Sequence, residues 1–526
     1  MTLSFSRRMA TGLLALTAIS LCSGAIAETP KGRDVTLDVA RATKPVDRFF
    51  DLSVGADFPG TTIRDANLAQ MKTASDELGF RYMRFHNIFA DDFGTVKRVD
   101  NKLVFDWTKI DYLYDHMLKA GIKPFVELGF TPDAIKTSDQ KIFYWKGNTS
   151  HPRLDDWKQL VDAFSRHLID RYGIDEVRSW YFEVWNEPNL DGFWQYADQE
   201  GYFALYNVTA RTLKAVDPKL RVGGPSTAGA AWVPEFLTYA KQTNSPVDFI
   251  TTHTYGVDYG YLDEEGKMDL QLSKNPNAIT GDVKKVRGEI EASGFPGLPL
   301  YFSEWSTSYN PRDLSHDSYI AAPYIVQKLR SVQGIAQGMS YWVYSDLFEE
   351  PGPQTKPFQG GFGLMTPDGI RKASWFAYKY LNALKGNEIP SSDAQVWAAT
   401  DGKAVSAVVW DFEQPAQKGS NGTFFSKLVP NAPSAPVTLK FAGLKPGHYR
   451  VTVSRTGYKV NDAYSAYIEM GSPNTLTAAQ KQKLQDLTRD LPESDRAVTV
   501  GANGAASVTV PMHSNDLVLV KLSPKS

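Results

Sequence analysis

The sequence predicts an α/β protein with two domains, a (β/α)8 TIM barrel with an attached C-terminal β-sandwich. The chain has 526 residues, which exceeds the usual size of a single hydrophobic core and favours two domains. Short apolar runs alternate with longer amphipathic runs over residues 46–386, whereas strand-like runs with frequent turns dominate residues 387–526. We therefore predict the barrel in the first range and the sandwich in the second.

Eight short runs rich in aromatic and β-branched residues are the predicted barrel strands. They cover residues 49–56, 82–87, 123–130, 179–187, 221–226, 248–256, 298–305 and 339–346. Amphipathic stretches such as 156–173 and 373–386 predict the intervening helices. A doubly wound open sheet is the alternative, but no glycine-rich dinucleotide loop follows the first predicted strand. The alternation therefore favours the barrel.

Residues beyond the barrel show the period-two alternation of a β-sandwich. The stretch GNEIPSSDAQ (386–395) is typical of a linker, and one helix is predicted at 475–490 with Thr475 or Thr477 as its N-cap. A further strand-like run at 33–43 lies within the N-terminal segment 28–45. We expect this run to join the sandwich and not the barrel.

The first 27 residues are typical of a signal peptide. Arg7 and Arg8 precede an apolar stretch that is shorter than a typical transmembrane helix. The small residues of Ala25-Ile26-Ala27 provide a cleavage site. We expect cleavage after Ala27 and export to the periplasm or the medium. Cys22 is the only cysteine and lies in the removed segment, so the mature chain has no disulfide and no thiolate metal ligand.

Composition and motifs exclude several classes of function. The formal net charge of −2 gives no general attraction to nucleic acid or to anionic membranes. The eight histidines are dispersed, with none paired at metal-ligand spacing. The stretch 223–229 has Ala228 where a nucleophile elbow needs glycine, and 360–365 lacks the lysine of a phosphate-binding loop. We expect no cofactor and no metal.

Polar residues mark the ends of the predicted strands, where TIM-barrel enzymes carry their active sites. Glu187, directly before Pro188, and Glu304 end two aromatic strands. The other polar residues at or shortly after these ends are His86, Glu127, Asn186, Ser226, His253, Tyr255, Asp346, Glu349 and Glu350. Two carboxyl groups at a barrel mouth suit glycosidic bond cleavage, because one protonates the leaving oxygen and the other stabilises or attacks the anomeric carbon. The alternative for each glutamate is a solvated residue at a strand end.

Neighbouring residues fit the same chemistry. An acid needs a pKa raised by burial, whereas a nucleophile needs hydrogen bonds that keep it ionised, and Tyr255 is placed to donate such a bond to Glu304. Glu183, Trp185 and Glu187 are expected to share one strand face, with Glu183 deeper and structural. Candidate stacking surfaces for sugars are Trp185, Trp194, Trp305 and Trp342.

Several segments resemble glycoside hydrolase family 39, the β-xylosidase and α-L-iduronidase family. WYFEVWNEPNLDGFW (180–194) and YFSEWSTSYNPRD (301–313) are similar to its acid/base and nucleophile segments. Further similar segments run in the same order from 84–94 to 461–477, so the resemblance covers nearly all of the mature chain.

This resemblance implies a retaining mechanism with Glu187 as acid/base and Glu304 as nucleophile. It implies that the nonreducing sugar is bound by His86, Asn186, His253, Tyr255, Trp342, Glu349 and Glu350. Arg84 is expected to pack in the barrel, and the two acidic residues at 349–350 disfavour a uronate. The family's xylosidases usually have glycine where this chain has Asn87, whose side chain is expected to reshape the subsite.

We therefore expect a retaining, exo-acting β-xylosidase that hydrolyses xylo-oligosaccharides. Within the same family the alternatives are an α-L-arabinosidase, a β-galactosidase or an endo-acting exopolysaccharide hydrolase. A non-catalytic carbohydrate-binding protein is the alternative from another class, and an independent binding role for the sandwich is a third interpretation. A homo-oligomer is expected from the same resemblance.

Overall fold

The computed structural model describes residues 32–263 and 266–525, so the predicted signal peptide lies outside the described residues. Eight parallel strands close into a barrel, which confirms the predicted fold class. The strands, in chain order, are Ser53–Gly55, Tyr82–Arg84, Lys123–Leu128, Tyr181–Val184, Arg221–Thr227, Phe249–Tyr255, Leu300–Ser306 and Gly338–Tyr341. The last strand pairs with the first through Tyr341 and Val54, and this contact closes the barrel.

One long α-helix follows each barrel strand and packs on the outside of the barrel. These helices are Asp65–Leu78, Thr108–Lys119, Leu154–Tyr172, Gln199–Val216, Val233–Thr243, Thr280–Ala292, Ala321–Val332 and Ala373–Asn382. In the third helix the buried side chains include Trp157, Leu160, Val161, Phe164 and Leu168. Their spacing of three or four residues places them on one face, which the barrel strands cover.

The amino-terminal end of the barrel interior is filled by large side chains, which leaves the other end for polar groups. Leu52, Phe125, Tyr181, Phe249 and Tyr301 form one buried cluster from five barrel strands or their immediate flanks. The rings of Phe125 and Tyr181 stack with their centroids 4.8 Å apart. Two residues further along four of these strands, beneath their carboxyl ends, lie the buried polar residues Glu127, Glu183, Thr251 and Ser303.

Two sheets form the C-terminal sandwich. The larger has seven strands in the order Lys44–Pro45, Asn387–Ile389, Val396–Thr400, Val405–Trp410, Leu517–Pro524, Gly447–Thr456 and Ser494–Val500. The smaller sheet has the order Arg33–Asp38, Pro433–Ala442 and Ala506–His513. The stretch predicted as a linker therefore contains a strand, because Ile389 is buried and pairs with Ala398. Arg33–Asp38 runs parallel to the middle strand of the smaller sheet.

Additional short elements lie on the loops. They comprise strands Val96–Val99, Lys102–Phe105, Lys141–Ile142, Gly147–Asn148, Val257–Leu262 and Met268–Leu272, and helices Pro59–Thr62, Ile174–Arg178, Asn421–Phe425, Ala463–Glu469 and Ala478–Leu487. Thr477 caps the last of these helices through a reciprocal pair of hydrogen bonds with Gln480, as a capping box does. Across the described residues, no helix combines the length and the apolar character that crossing a membrane requires.

The strands Val257–Leu262 and Met268–Leu272 form a hairpin after the sixth barrel strand. The sequence prediction missed this hairpin. It stands beside the mouth of the barrel, and the amide N–H of Leu272 donates to Asn421 Oδ1 at 3.0 Å. A segment that follows the sandwich strand Val405–Trp410 therefore supports a loop of the barrel.

Candidate active site

A cavity of about 630 Å3 opens at the carboxyl ends of the barrel strands. Seven of the residues singled out from the sequence line it: His86, Asn186, Glu187, Tyr255, Glu304, Trp342 and Glu350. His253 is fully buried behind the cavity and contacts both glutamates. These residues come from five barrel strands or the loops that follow them, and they converge on one pocket.

The end of the fourth barrel strand presents Glu187. The strand ends at Val184, earlier than predicted, because Trp185 and Glu187 have left-handed backbone conformations with φ of 69° and 44°. The amide N–H of Glu187 donates to Ser226 O at 2.7 Å, which anchors the turn before Pro188. Left-handed conformations are costly for residues other than glycine and cluster at functional sites.

This backbone path corrects the predicted alternation from Glu183 to Glu187. Trp185 is turned into the core, where its Nε1–H donates to Phe193 O at 2.7 Å, and it does not line the cavity. Trp194 and Trp305 are also buried outside the cavity, so of the four candidate stacking tryptophans Trp342 alone lines it.

The seventh barrel strand presents Glu304 next to Ser303. The register of this strand shifts between Phe302 and Trp305 relative to the eighth barrel strand. In the same stretch it also shifts relative to the sixth barrel strand, as at a β-bulge. A bulge re-aims side chains, which explains how two consecutive residues both reach the barrel interior. Ser303 Oγ donates to Glu183 Oε1 at 2.6 Å, and Glu304 lines the cavity above it.

The two glutamates lie close to each other. One carboxylate oxygen of Glu187, one of Glu304 and a ring nitrogen of His253 are all within 4.8 Å of one another. Retaining glycosidases have carboxyl groups about 5–5.5 Å apart, whereas inverting enzymes need about 6.5–9.5 Å to admit a water molecule. The observed separation therefore suits a retaining reaction.

Burial makes Glu187 a proton donor near neutral pH. It raises the pKa of Glu187 to about 7, although the charges of His86 and Arg84 partly oppose the effect. His253 Nδ1 lies 2.8 Å from Glu187 Oε1, and burial lowers the pKa of His253 to about 4. His253 is therefore neutral at pH 7 and does not hold Glu187 in its ionised form as a cation would. These three groups are also of the chemical types that bind metal ions.

Glu304 has a different environment from Glu187. Arg84 Nη1 donates to Glu304 Oε1 at 2.7 Å, and the Tyr255 hydroxyl donates to Glu304 Oε2 at 2.7 Å, as the sequence suggested. Both bonds stabilise a carboxylate. The neighbouring carboxyl groups thus differ in the way that an acid and a nucleophile require.

Arg84 connects several carboxylates beneath the cavity. Its guanidinium also contacts Glu183 and lies 2.8 Å from Glu127 Oε2. Asn186 Oδ1 accepts from Arg84 Nη2 at 2.9 Å, which orients the amide of Asn186. From its sequence position Arg84 is expected only to pack in the barrel, so its contacts with these carboxylates are a finding of the structure. Arg84 and His86 are two residues apart within the predicted strand 82–87, and this spacing was the available signal that both side chains point inward.

His86 is a second cation in the cavity. Its Nδ1 lies 2.7 Å from Glu127 Oε2 and its Nε2 lies 3.3 Å from Glu350 Oε1. Burial opposes the charged form, but these carboxylates outweigh burial and raise the pKa of His86 well above 6.5. Burial also raises the pKa of Glu350 to about 8. The ring of Trp342 lies against His86, with the centroids 4.7 Å apart.

The two acidic residues after the eighth strand point in different directions. Glu350 lines the cavity, whereas the carboxylate of Glu349 binds Arg64 outside it through contacts of 2.5 and 3.0 Å. The amide N–H of Glu349 donates to Asp57 Oδ2 at 2.7 Å and fixes the loop. The structure therefore does not bring Glu349 together with the other predicted sugar-binding residues.

Asn87 also lies away from the cavity lining. Its backbone φ is 60°, a conformation that asparagine and glycine tolerate better than other residues. Asn87 Oδ1 accepts from the amide of Phe130 at 3.1 Å. The side chain that was expected to reshape the subsite instead supports the neighbouring loop.

Aromatic residues from long loops complete the cavity, and the sequence analysis did not single them out. Phe143, Phe193 and Tyr309 all line it. They lie several residues beyond the strand ends, where neither periodicity nor strand position indicates which side chains face the site.

Comparison with known proteins agrees with this geometry. The family model for glycosyl hydrolases family 39 matches residues 33–506. A "Beta-xylosidase" of Geobacillus stearothermophilus is 34% identical over 480 residues, covering 89% of this chain and 91% of the relative.

Two solved structures are similar over nearly their whole length. The "GH39 enzyme from Xanthomonas axonopodis pv. citri" has a TM-score of 0.95 and 59% identity, covering 96% of this chain and 100% of that chain. The "monomeric beta-xylosidase from Caulobacter crescentus CB15" has a TM-score of 0.93 and 63% identity, covering 94% of this chain and 100% of that one.

Proposed function

Because the chain belongs to glycosyl hydrolases family 39 and is an O-glycosidase, we propose that it is a retaining, exo-acting β-xylosidase acting on xylo-oligosaccharides. The observation that carries this proposal is the pair Glu187 and Glu304, with carboxylate oxygens within 4.8 Å of each other in one pocket. The relatives named β-xylosidase support the choice of sugar.

The proposed reaction has two steps. In the first, Glu304 attacks the anomeric carbon while Glu187 gives its proton to the departing glycosidic oxygen, which forms a covalent xylosyl-enzyme ester. In the second, Glu187 takes a proton from water, the water oxygen attacks the anomeric carbon, and Glu304 leaves as a carboxylate. Arg84 and Tyr255, which contact different oxygens of Glu304, stabilise that charge as it returns.

Contacts around the pocket suggest how the sugar is held. The amide oxygen of Asn186 is occupied by Arg84, which leaves its NH2 group to donate to the sugar 2-hydroxyl. His86, Trp342 and Glu350 are almost completely buried at the same site, so they leave little room for a further sugar beyond the nonreducing residue. This favours exo action. A uronate is disfavoured, because Arg84 already pairs with three carboxylates.

A panel of nitrophenyl glycosides tests the proposal. We expect the purified mature chain to hydrolyse the β-xyloside in preference to α-L-arabinosides, the β-galactoside and the β-glucoside. Glu304→Ala should abolish turnover, whereas Glu291→Ala, on the outer surface of a barrel helix, should keep the wild-type rate. Preference for another glycoside would refute the xylosidase assignment, and an active Glu304→Ala variant would refute the nucleophile. Binding of xylo-oligosaccharides without turnover would identify a carbohydrate-binding protein instead.

Export and assembly complete the proposal. The basic pair Arg7 and Arg8 and the small residues before Glu28 support export with cleavage after Ala27. N-terminal sequencing of the exported protein should begin at Glu28. The family resemblance predicts a homo-oligomer, whereas the similar β-xylosidase of Caulobacter crescentus CB15 is monomeric. Light scattering of the purified protein distinguishes these two states.

A further inference from the structure

We infer that the active-site cleft continues into an aromatic groove that binds xylose units on the leaving-group side, beyond the bond that is cleaved. This inference rests on the proposed function and adds the chain length of the substrate to it. The groove has a volume of about 310 Å3 and is lined mainly by Tyr259, Met268, Leu270, Tyr309 and Pro311.

The groove is continuous with the catalytic pocket. Tyr259, Tyr309 and Pro311 line both spaces, so a ligand passes from one to the other along the same side chains. The ring of Tyr309 lies edge-on to that of Tyr255, with centroids 6.2 Å apart, and Tyr255 donates to Glu304. The groove therefore begins within one side chain of the proposed reaction centre.

The direction of the groove determines which part of the substrate it receives. The buried residues His86, Trp342 and Glu350 close the pocket beyond the nonreducing sugar. An oligosaccharide therefore extends from the cleaved bond toward the exposed end of the cleft. A pocket of about 630 Å3 is already of the size that holds a drug-sized ligand, which exceeds a single pentose. The groove then accommodates the units that follow.

The exposed apolar side chains of the groove have no evident structural purpose. Tyr259 is 79% exposed, Met268 is 70% exposed and Tyr309 is 49% exposed. Apolar groups gathered on an open surface mark a binding site more often than isolated ones do. The C–H faces of pyranose rings are apolar and their edges carry hydroxyls, so sugars suit a tyrosine-lined groove with a polar rim. Asp269 and Asn310 supply such polar groups.

The two sides of the groove are held at a fixed distance by one buried residue. Asn421 Oδ1 accepts from the amide of Leu272 in the hairpin that carries Tyr259, and Asn421 Nδ2 donates to Asp313 Oδ2 at 2.8 Å in the loop that follows Tyr309. Asn421 is fully buried. A binding surface that is already assembled loses less entropy when a ligand binds.

The experiment compares kcat/KM for xylobiose and xylotetraose. For the wild-type protein we expect a higher value for xylotetraose. For Tyr259→Ala the ratio of the two values should fall about two- to tenfold, the size of one aromatic contact. Tyr259→Phe should keep the ratio, because the stacking face remains. Tyr196→Ala is the matched control, since Tyr196 is 76% exposed and lines neither space.

Failure of the groove and failure of the proposed function give different results. Equal values for the two oligosaccharides in the wild-type protein, or an unchanged ratio in Tyr259→Ala, would overturn the groove while xylosidase activity stands. An absence of xylose release from xylobiose would overturn the proposed function and the groove with it.

Discussion

Replacing Glu187 with alanine should affect substrates according to their leaving groups. As the proposed acid, Glu187 protonates the departing oxygen, a contribution that is worth about 10²- to 10⁴-fold in rate. Xylobiose has a poor leaving group, so its kcat/KM should fall by about this factor. A nitrophenyl leaving group departs without a proton, so the first step on that substrate should change little.

The structure also gives the pH dependence of this acid. With a pKa of 4.5, about one carboxyl group in 300 would carry a proton at pH 7, whereas a pKa of about 7 leaves about half protonated. The burial of Glu187 therefore increases the active form at pH 7 by a factor of about 150. Because the acid must be protonated, kcat/KM of the wild-type protein for xylobiose should fall as the pH rises through about 7.

The assay is the pH profile of kcat/KM on both substrates for the wild-type protein and for Glu187→Ala. The second step still needs a base, so the variant should accumulate the xylosyl-enzyme on the aryl substrate, and added azide, which attacks without a base, should restore turnover. Equal losses on xylobiose and the aryl xyloside would refute the acid role. If kcat/KM of the wild-type protein for xylobiose falls at an alkaline pH far from 7, burial does not set the pKa of Glu187 in this way.

Two other changes test the groups around the site. Tyr255→Phe removes a hydrogen bond to the Glu304 carboxylate that is worth about 1.5–3 kcal/mol. Breakdown of the xylosyl-enzyme ester should therefore slow about 10- to 100-fold, and both kcat and KM for the aryl xyloside should fall. A rise in KM with kcat unchanged would contradict this role of Tyr255. Lys372→Met leaves the buried carboxylates of Asp317 and Asp346, each 2.6 Å from the Lys372 ammonium, without their cation, and urea unfolding should show a loss of about 3–5 kcal/mol. A free energy of unfolding equal to that of the wild-type protein would show that Lys372 does not stabilise Asp317 and Asp346 in this way.

The sequence predicted the barrel because buried parallel strands appear as continuous apolar runs separated by amphipathic helices. The strand ends were harder to predict. The fourth strand ends at Val184 and not at residue 187, because Trp185 and Glu187 adopt left-handed conformations. No local pattern indicates such a conformation in a tryptophan or a glutamate. The hairpin Val257–Leu262 and Met268–Leu272 was missed because it interrupts the expected strand-to-helix connection.

The candidate site was partly visible in the sequence. Glu187 and Glu304 stand at strand ends within short, specific motifs, so local sequence was sufficient to single them out. The contact of Arg84 with Glu304 depends on how the second and seventh strands converge, and residues 220 positions apart give no local signal of it. The difference between Glu349 and Glu350 likewise depends on Arg64 and Asp57, which hold the loop from a distant part of the chain.

The stereochemistry of the first product tests the central claim most directly. Proton NMR during the first minutes of hydrolysis of an aryl β-xyloside distinguishes the two anomers of xylose before they interconvert. The separation of Glu187 and Glu304 predicts that β-xylose appears first and that the α-anomer grows in only by mutarotation. If α-xylose appears first, the reaction inverts the anomeric centre and Glu304 is not the nucleophile of a double displacement.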